Sequence, residues 1–298
     1  MSGARGAGRA APSAYEGFVR SADGVPVHLV VEGRGPVCVL GAGLGLGWFD
    51  WDPVVALLAP YRTVVRYDRP GHGLSGPAAA PPTATGEARR VAGLLDALGP
   101  AGRDPVTVVG HSMGGFHAEA FARLYPARTA ALVLVDTSVE EDPRPPRLPA
   151  AVRERAAVAL GRALTAAGLP AALGPLVRRA GIRASRTGGA DPAARDLVRR
   201  CYRTGRVWQG ALLENSRYPD LAAEVLALRA ERPLGAPVTV LAGYDGSARP
   251  GALRWLARQA ALADRLGARF EVADPSGHLV MLDRPDQVAR AVRAASTA

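Results

Sequence analysis

The tightest constraint on this chain lies between residues 106 and 125. Val106-Thr107-Val108-Val109 is an apolar β-type run. Met113 to Tyr125 has helical spacing and stops before Pro126, and only Gly110-His111-Ser112 stands between the two. A strand that passes straight into a helix has no loop in which to relax the turn. The serine at that turn is forced into strained backbone angles, and the residues two before and two after it must be small, as Gly110 and Gly114 are. Its hydroxyl is then held above a sheet at a helix N-terminus, where the helix dipole favours a developing anion.

The rest of the chain repeats the same rhythm. Residues 17–31 read as two strands around the turn Ala22-Asp23-Gly24. Short apolar runs follow at 36–40, 63–67, 131–135, 238–241 and 270–272. Helical spacing is found at 87–98, 252–266 and 285–295, and Asp52-Pro53 reads as the N-cap and first residue of another helix. Strands that alternate with helices make an α/β fold, a mostly parallel sheet covered on both faces. From 143 to 235 the rhythm stops: Ala, Arg and Leu recur at helical spacing with no convincing strand, which reads as an inserted helical lid. The expected organisation is a disordered tail over 1–14, a core of 15–142 and 236–298, and a lid of 143–235.

A serine is a weak nucleophile until a base activates it. Of the five histidines, His278 is the one expected in a loop after the last strand and before the final helix, on the same sheet edge as Ser112. Two carboxylates fit the order serine–acid–histidine: Asp136, ending the strand 131–135, and Asp245, in Gly243-Tyr244-Asp245-Gly246. Either could orient the imidazole and stabilise its charged form. Backbone N–H donors for an oxyanion are expected from Met113, the residue after the serine, and from Leu44 in the glycine-rich stretch 41–47. Gly43, His72 and His111 are candidates to line the substrate pocket. The glycine-rich stretch is not a dinucleotide fingerprint, because G-x-G-x-x-G places Leu46 or Trp48 where the last glycine belongs. No cofactor and no metal are expected.

Charge sets further limits. The net charge is +10, and all 37 basic residues are arginine. A chain without lysine cannot form a lysine Schiff base or use a P-loop lysine. The charge is concentrated: residues 144–217 hold 15 Arg against Glu154, Asp191, Asp196 and Glu214. A solvated arginine-rich face explains this, and so does attraction of an anionic or carrier-bound acyl substrate. Nucleic-acid binding is not expected, since no recognition motif accompanies the charge. A membrane span is not expected either, because no apolar run reaches 18 residues. The N-terminus lacks the apolar segment of a secretory signal, and Cys38 and Cys201 read as free thiols, so the cytoplasm is the expected location.

Several blocks together resemble the α/β-hydrolase superfamily: Gly41–Gly45, Tyr67–Ser75, Gly110–Gly115, Leu132–Thr137 and Gly277–Pro285. The resemblance implies an eight-stranded sheet, a helical cap after strand six, and a ping-pong reaction in which Ser112 forms an acyl-enzyme that water then hydrolyses. Members of the superfamily commonly have Gly-x-x-Asp after strand seven. Here the spacing is one residue shorter, which weakens Asp245 and favours Asp136, the position after strand six that other members use. A carboxylic ester or thioester hydrolase is the leading expectation. An acyltransferase, a lyase or cyclase of natural-product synthesis, and a non-catalytic binding protein are the rival classes.

Overall fold

The computed structural model describes residues 13–142 and 146–295. Eight strands form one sheet: β1 (Ser13–Arg20), β2 (Pro26–Gly33), β3 (Val37–Gly41), β4 (Thr63–Tyr67), β5 (Val106–His111), β6 (Thr129–Val135), β7 (Val238–Gly243) and β8 (Arg269–Ala273). Their order is β1-β2-β4-β3-β5-β6-β7-β8. β2 is antiparallel to both its neighbours, and all pairs from β4 to β8 are parallel. The order explains the composition of β5. A central parallel strand is covered on both faces, and all six of its residues are buried.

Helices α1 (Asp52–Leu58), α2 (Ala84–Ala97), α3 (Gly114–Leu124), α9 (Pro250–Leu266), α10 (Val280–Asp283) and α11 (Pro285–Ala295) pack on the sheet. Val91, Leu94 and Leu95 of α2, Phe116 and Phe121 of α3, and Leu262 of α9 share one core with Val39, Val65 and Val108. Val54, Val55 and Leu58 of α1 and Val288 and Val292 of α11 share the other with Leu40, Val64 and Val133. The alternation of inward residues in β3–β5 thus divides the core into two layers. Truncating one such buried Leu or Phe to Ala costs about 2–5 kcal/mol.

Between β6 and β7 stand five helices and, among the described residues, no strand: α4 (Ala150–Ala166), α5 (Leu169–Ala184), α6 (Arg195–Tyr202), α7 (Gly205–Ser216) and α8 (Tyr218–Glu231). α8 does not stand apart. Leu221, Ala222, Val225 and Leu228 lie in the same core as α2 and α3. α8 is thus packed into a core layer of the sheet although it lies within the 143–235 insertion, as is Ile182 of α5 in the other layer. The expected tail is shorter than 1–14. Ser13 and Ala14 already belong to β1, while 1–12 lie outside the described residues.

Two helix starts differ from expectation for local reasons. α2 begins at Ala84, because the Thr83 hydroxyl accepts the Gly86 N–H and caps it. Asp52 is the first residue of α1 rather than its cap, since a 3-10 turn (Trp48–Trp51) precedes it, and its carboxylate pairs with Arg66. No single helix among the described residues is long and apolar enough to cross a membrane.

Candidate active site

The strand order reverses at the centre of the sheet: the chain moves from β3 outward to β4, then returns past β3 to β5. A crevice opens at the carboxyl ends of two strands that diverge in this way. Gly41 at the end of β3 pairs with Gly110 near the end of β5, so the residues following each strand lie side by side.

Ser112 has φ +52°, a left-handed conformation that a non-glycine residue adopts only under constraint. Its N–H donates to Val135 O at 3.2 Å, and its carbonyl accepts from Ser138 N–H at 3.0 Å, so the turn is tied to the end of β6. The flanking glycines are required by space. A Cβ on Gly114 would fall 2.6 Å from Ala42 O, and one on Gly110 would strike the Gly114 carbonyl.

His278 lies in the loop between β8 and α10. Its Nδ1 is 2.6 Å from Asp136 Oδ2. The other carboxylate oxygen of Asp136 accepts the Gly243 N–H at 2.9 Å and the Trp255 Nε1–H at 2.8 Å. Asp136 is buried, and like Ser112 it has a positive φ, +39°, which aspartate tolerates better than most residues. Both carboxylate oxygens therefore have partners, and one of them is the imidazole. The imidazole pairs with Asp136 and not with Asp245. Asp245 is exposed, and its Oδ1 accepts the Ser247 N–H at 2.9 Å in a local turn that also holds its carboxyl below the usual range.

Ser112, His278, His111, Leu44 and Gly45 line one cavity of about 340 Å³. His111 is buried, and its Nε2 lies 2.9 Å from the carbonyl of His278. Burial pushes its pKa well below the ordinary histidine value, with the His278 ring adding to the effect. A neutral imidazole facing a carbonyl must donate, so Nε2 carries the proton and Nδ1 is left with a lone pair. That Nδ1 faces Gly43: a Cβ there would come within 2.8 Å of it and 3.0 Å of the Ser112 Cβ. His111 lines the cavity of Ser112, and Gly43 packs against both residues without forming part of that lining. His72 lies elsewhere. It lies 3.2 Å from Glu214 of α7 and lines a separate cavity of about 270 Å³ with Glu87 and Arg90. Met113 heads α3, where first-turn amides have no acceptor within the helix, while its side chain is buried in the core.

A third cavity, about 360 Å³, is lined by Val177, Val207, Trp208, Ala211 and Leu212 of the insertion, and it shares Leu44, Gly45, Arg178 and Tyr202 with the cavity of Ser112. Arg178 is the only Arg, Asp or Glu among the described residues of either lining. It is fully engaged: Nη2 pairs with Asp50 at 2.5 Å, Nε with Asp191 at 2.9 Å, and Nη1 donates to the Tyr202 hydroxyl at 2.8 Å. Tyr202 in turn donates to Gly45 O at 2.7 Å. Sequence reasoning missed Trp255, Arg178 and Tyr202. Each has a partner 119, 128 or 157 residues away, and no local pattern marks such pairs.

The profile of the "Alpha/beta hydrolase family" matches residues 11–291. Lipase LipV of Mycobacterium tuberculosis is 32% identical over 250 residues, which is 81% of this chain and 83% of that one. RutD of Azorhizobium caulinodans is 34% identical over 110 residues, and the match spans only 40% of its length. Among solved structures, Cfl2 of Burkholderia cenocepacia superposes with a TM-score of 0.73 at 24% identity, covering 94% of each chain; at that identity the likeness concerns the fold.

Proposed function

Since this chain belongs to the alpha/beta hydrolase family, we propose that it is a serine hydrolase that cleaves a carboxylic ester or thioester of a small molecule. Ser112 attacks the acyl carbon, and the His278 Nε2 takes its proton. Asp136 holds the imidazole through Nδ1, which fixes the tautomer with a free Nε2 and stabilises the imidazolium that forms. The tetrahedral oxygen is met by the amides of Met113 and Leu44. His278 returns the proton to the leaving group, then activates the water that hydrolyses the acyl-enzyme. The observation that carries this reading is the buried Asp136 paired at 2.6 Å with a histidine that opens onto the cavity of Ser112.

The cavities also bear on the substrate. Helices α4–α7 act in this reading as a lid, and Val177, Val207, Trp208 and Leu212 offer an apolar chamber beside Leu44. Two carboxylates already neutralise Arg178, so it offers no free charge to an anionic acyl group. An apolar acyl chain therefore fits better than a charged one. The exposed arginines of the lid can attract only parts of a substrate that remain outside, such as an acidic carrier.

A series of p-nitrophenyl esters of increasing chain length tests this. Activity should rise from acetate to a medium chain, and Trp208→Ala should move the optimum to longer chains by enlarging the chamber. No turnover of any ester in the series, nor of an acyl thioester run beside it, would contradict the proposal. Products formed in the presence of a competing alcohol distinguish hydrolysis from acyl transfer.

A further inference from the structure

The amide proposed to bind the oxyanion, Leu44 N–H, belongs to the same peptide unit as the Gly43 carbonyl. In a trans peptide the N–H and C=O point in opposite directions. Whatever grips the Gly43 oxygen therefore sets the direction of the Leu44 N–H. Two donors grip it: Leu46 N–H at 3.2 Å and the guanidinium Nη2 of Arg69 at 2.9 Å. The Nη1 of the same guanidinium donates to the carbonyl one residue earlier, Ala42 O. The cation thus lies behind two successive peptides of the loop, and the Leu44 N–H is turned away from it. Leu44 itself lines the cavity of Ser112.

Arg69 is in turn held. It follows β4, in the turn Asp68–Gly73, and is 4% exposed. Glu214 of α7 takes its Nε at 2.6 Å and its Nη2 at 2.9 Å, and Glu214 is 2% exposed. Burial opposes charge on both groups, but mutual attraction outweighs it: the Arg69 pKa is raised and the Glu214 carboxyl falls well below its usual range. The pair is ionised and buried. The planar fork makes four hydrogen bonds at once, two to the carboxylate and one to each carbonyl, whereas an ammonium has three protons to donate and acts as a point charge.

We propose that Arg69 is a positioning residue of the oxyanion site: clamped by Glu214 from the lid, it fixes and polarises the Gly43–Leu44 peptide so that Leu44 N–H stands ready as a donor. A hydrogen-bonded cation on a carbonyl makes the amide of that peptide a stronger donor. A donor held in place before the reaction needs no reorganisation when charge develops. Because the clamp comes from α7, the position of the lid is coupled to the oxyanion site. The inference rests on the reading of Ser112 as nucleophile.

The test uses the full chain with p-nitrophenyl butyrate as substrate, a fluorophosphonate as label and an alkyl trifluoromethyl ketone as a probe that becomes tetrahedral on Ser112. Two variants are compared with wild type. Arg69→Lys keeps the charge but loses the fork. Arg69→Gln/Glu214→Gln replaces the buried ion pair without leaving a lone charge. Removing an oxyanion donor lowers kcat by about 10²–10³-fold, so loss of its alignment should lower it by about 10-fold in Arg69→Lys and about 10²-fold in the double variant. Ketone affinity should fall in parallel while KM changes little. A merely structural role would lower the melting temperature or raise KM without that parallel loss. Variants whose kcat and ketone affinity match wild type overturn the role of Arg69 while leaving Ser112 in place. A wild type that neither labels nor binds the ketone overturns the nucleophile reading and this inference together.

Discussion

At the scale of single residues, the site turns on which carboxylate meets His278. Asp136 is buried with both oxygens in use, and Asp245 is exposed in a turn of its own. Asp136→Asn should lower kcat by about 10³–10⁴-fold, because an amide favours the wrong imidazole tautomer. Asp245→Asn should leave kcat near wild type. Steady-state kinetics of the two purified variants decide the matter, and a large loss in Asp245→Asn alone would reverse the assignment. The sequence left both acids open for a physical reason. Each ends or follows a parallel strand on the same sheet edge. What separates them is a side-chain direction set by a positive φ at Asp136 and by Trp255 on a distant helix. The meeting of Ser112 and His278 at one cavity was legible because strand–turn–helix context constrains their placement locally. His72 was misplaced because its loop serves Glu214 of the insertion, a long-range contact that leaves no mark in the sequence.

At the scale of elements, the hydrophobic rhythm was enough to place all eight strands, and β4 and α11 fall where it predicts to the residue. Apolar periodicity is a local signal, so it survives without knowledge of partners. The helix starts were less legible. A Thr83 cap and a 3-10 turn before Asp52 decide them, and both depend on side-chain hydrogen bonds rather than on periodicity. The junction of β5 and α3 shows how backbone space carries function. Gly114 packs against the carbonyls of Gly41 and Ala42, so a methyl group there must displace the loop that bears Leu44. Gly114→Ala should destabilise the fold by about 1–3 kcal/mol. It should also lower kcat more than that loss of stability explains. Thermal unfolding and kinetics on the same sample check this, and an unchanged kcat would show that the loop does not depend on the contact.

At the scale of the molecule, two buried histidines tie stability to pH. Burial lowers the pKa of His111 and of His117, and neither ring nitrogen of His117 has a hydrogen-bond partner among the described residues. In the unfolded chain both take up a proton near pH 6.5, while in the folded chain they take it up only at lower pH. The unfolded state therefore binds more protons below that pH, and stability falls as pH falls, by up to about 1.4 kcal/mol per pH unit for each histidine. The melting temperature should drop between about pH 7 and pH 5. His117→Leu should flatten that slope; an equally steep slope in the variant would contradict it.

The whole arrangement places a strained serine, a paired histidine and a gripped loop at one sheet edge, beneath an insertion that fastens to the loop through Glu214 and Tyr202. Its central claim is that Ser112 is the nucleophile. Intact-protein mass spectrometry after fluorophosphonate treatment tests this most directly. Wild type should gain one adduct, mapped to the peptide that contains Ser112, and Ser112→Ala should gain none. Equal labelling of both proteins, or no labelling of wild type, would contradict the account.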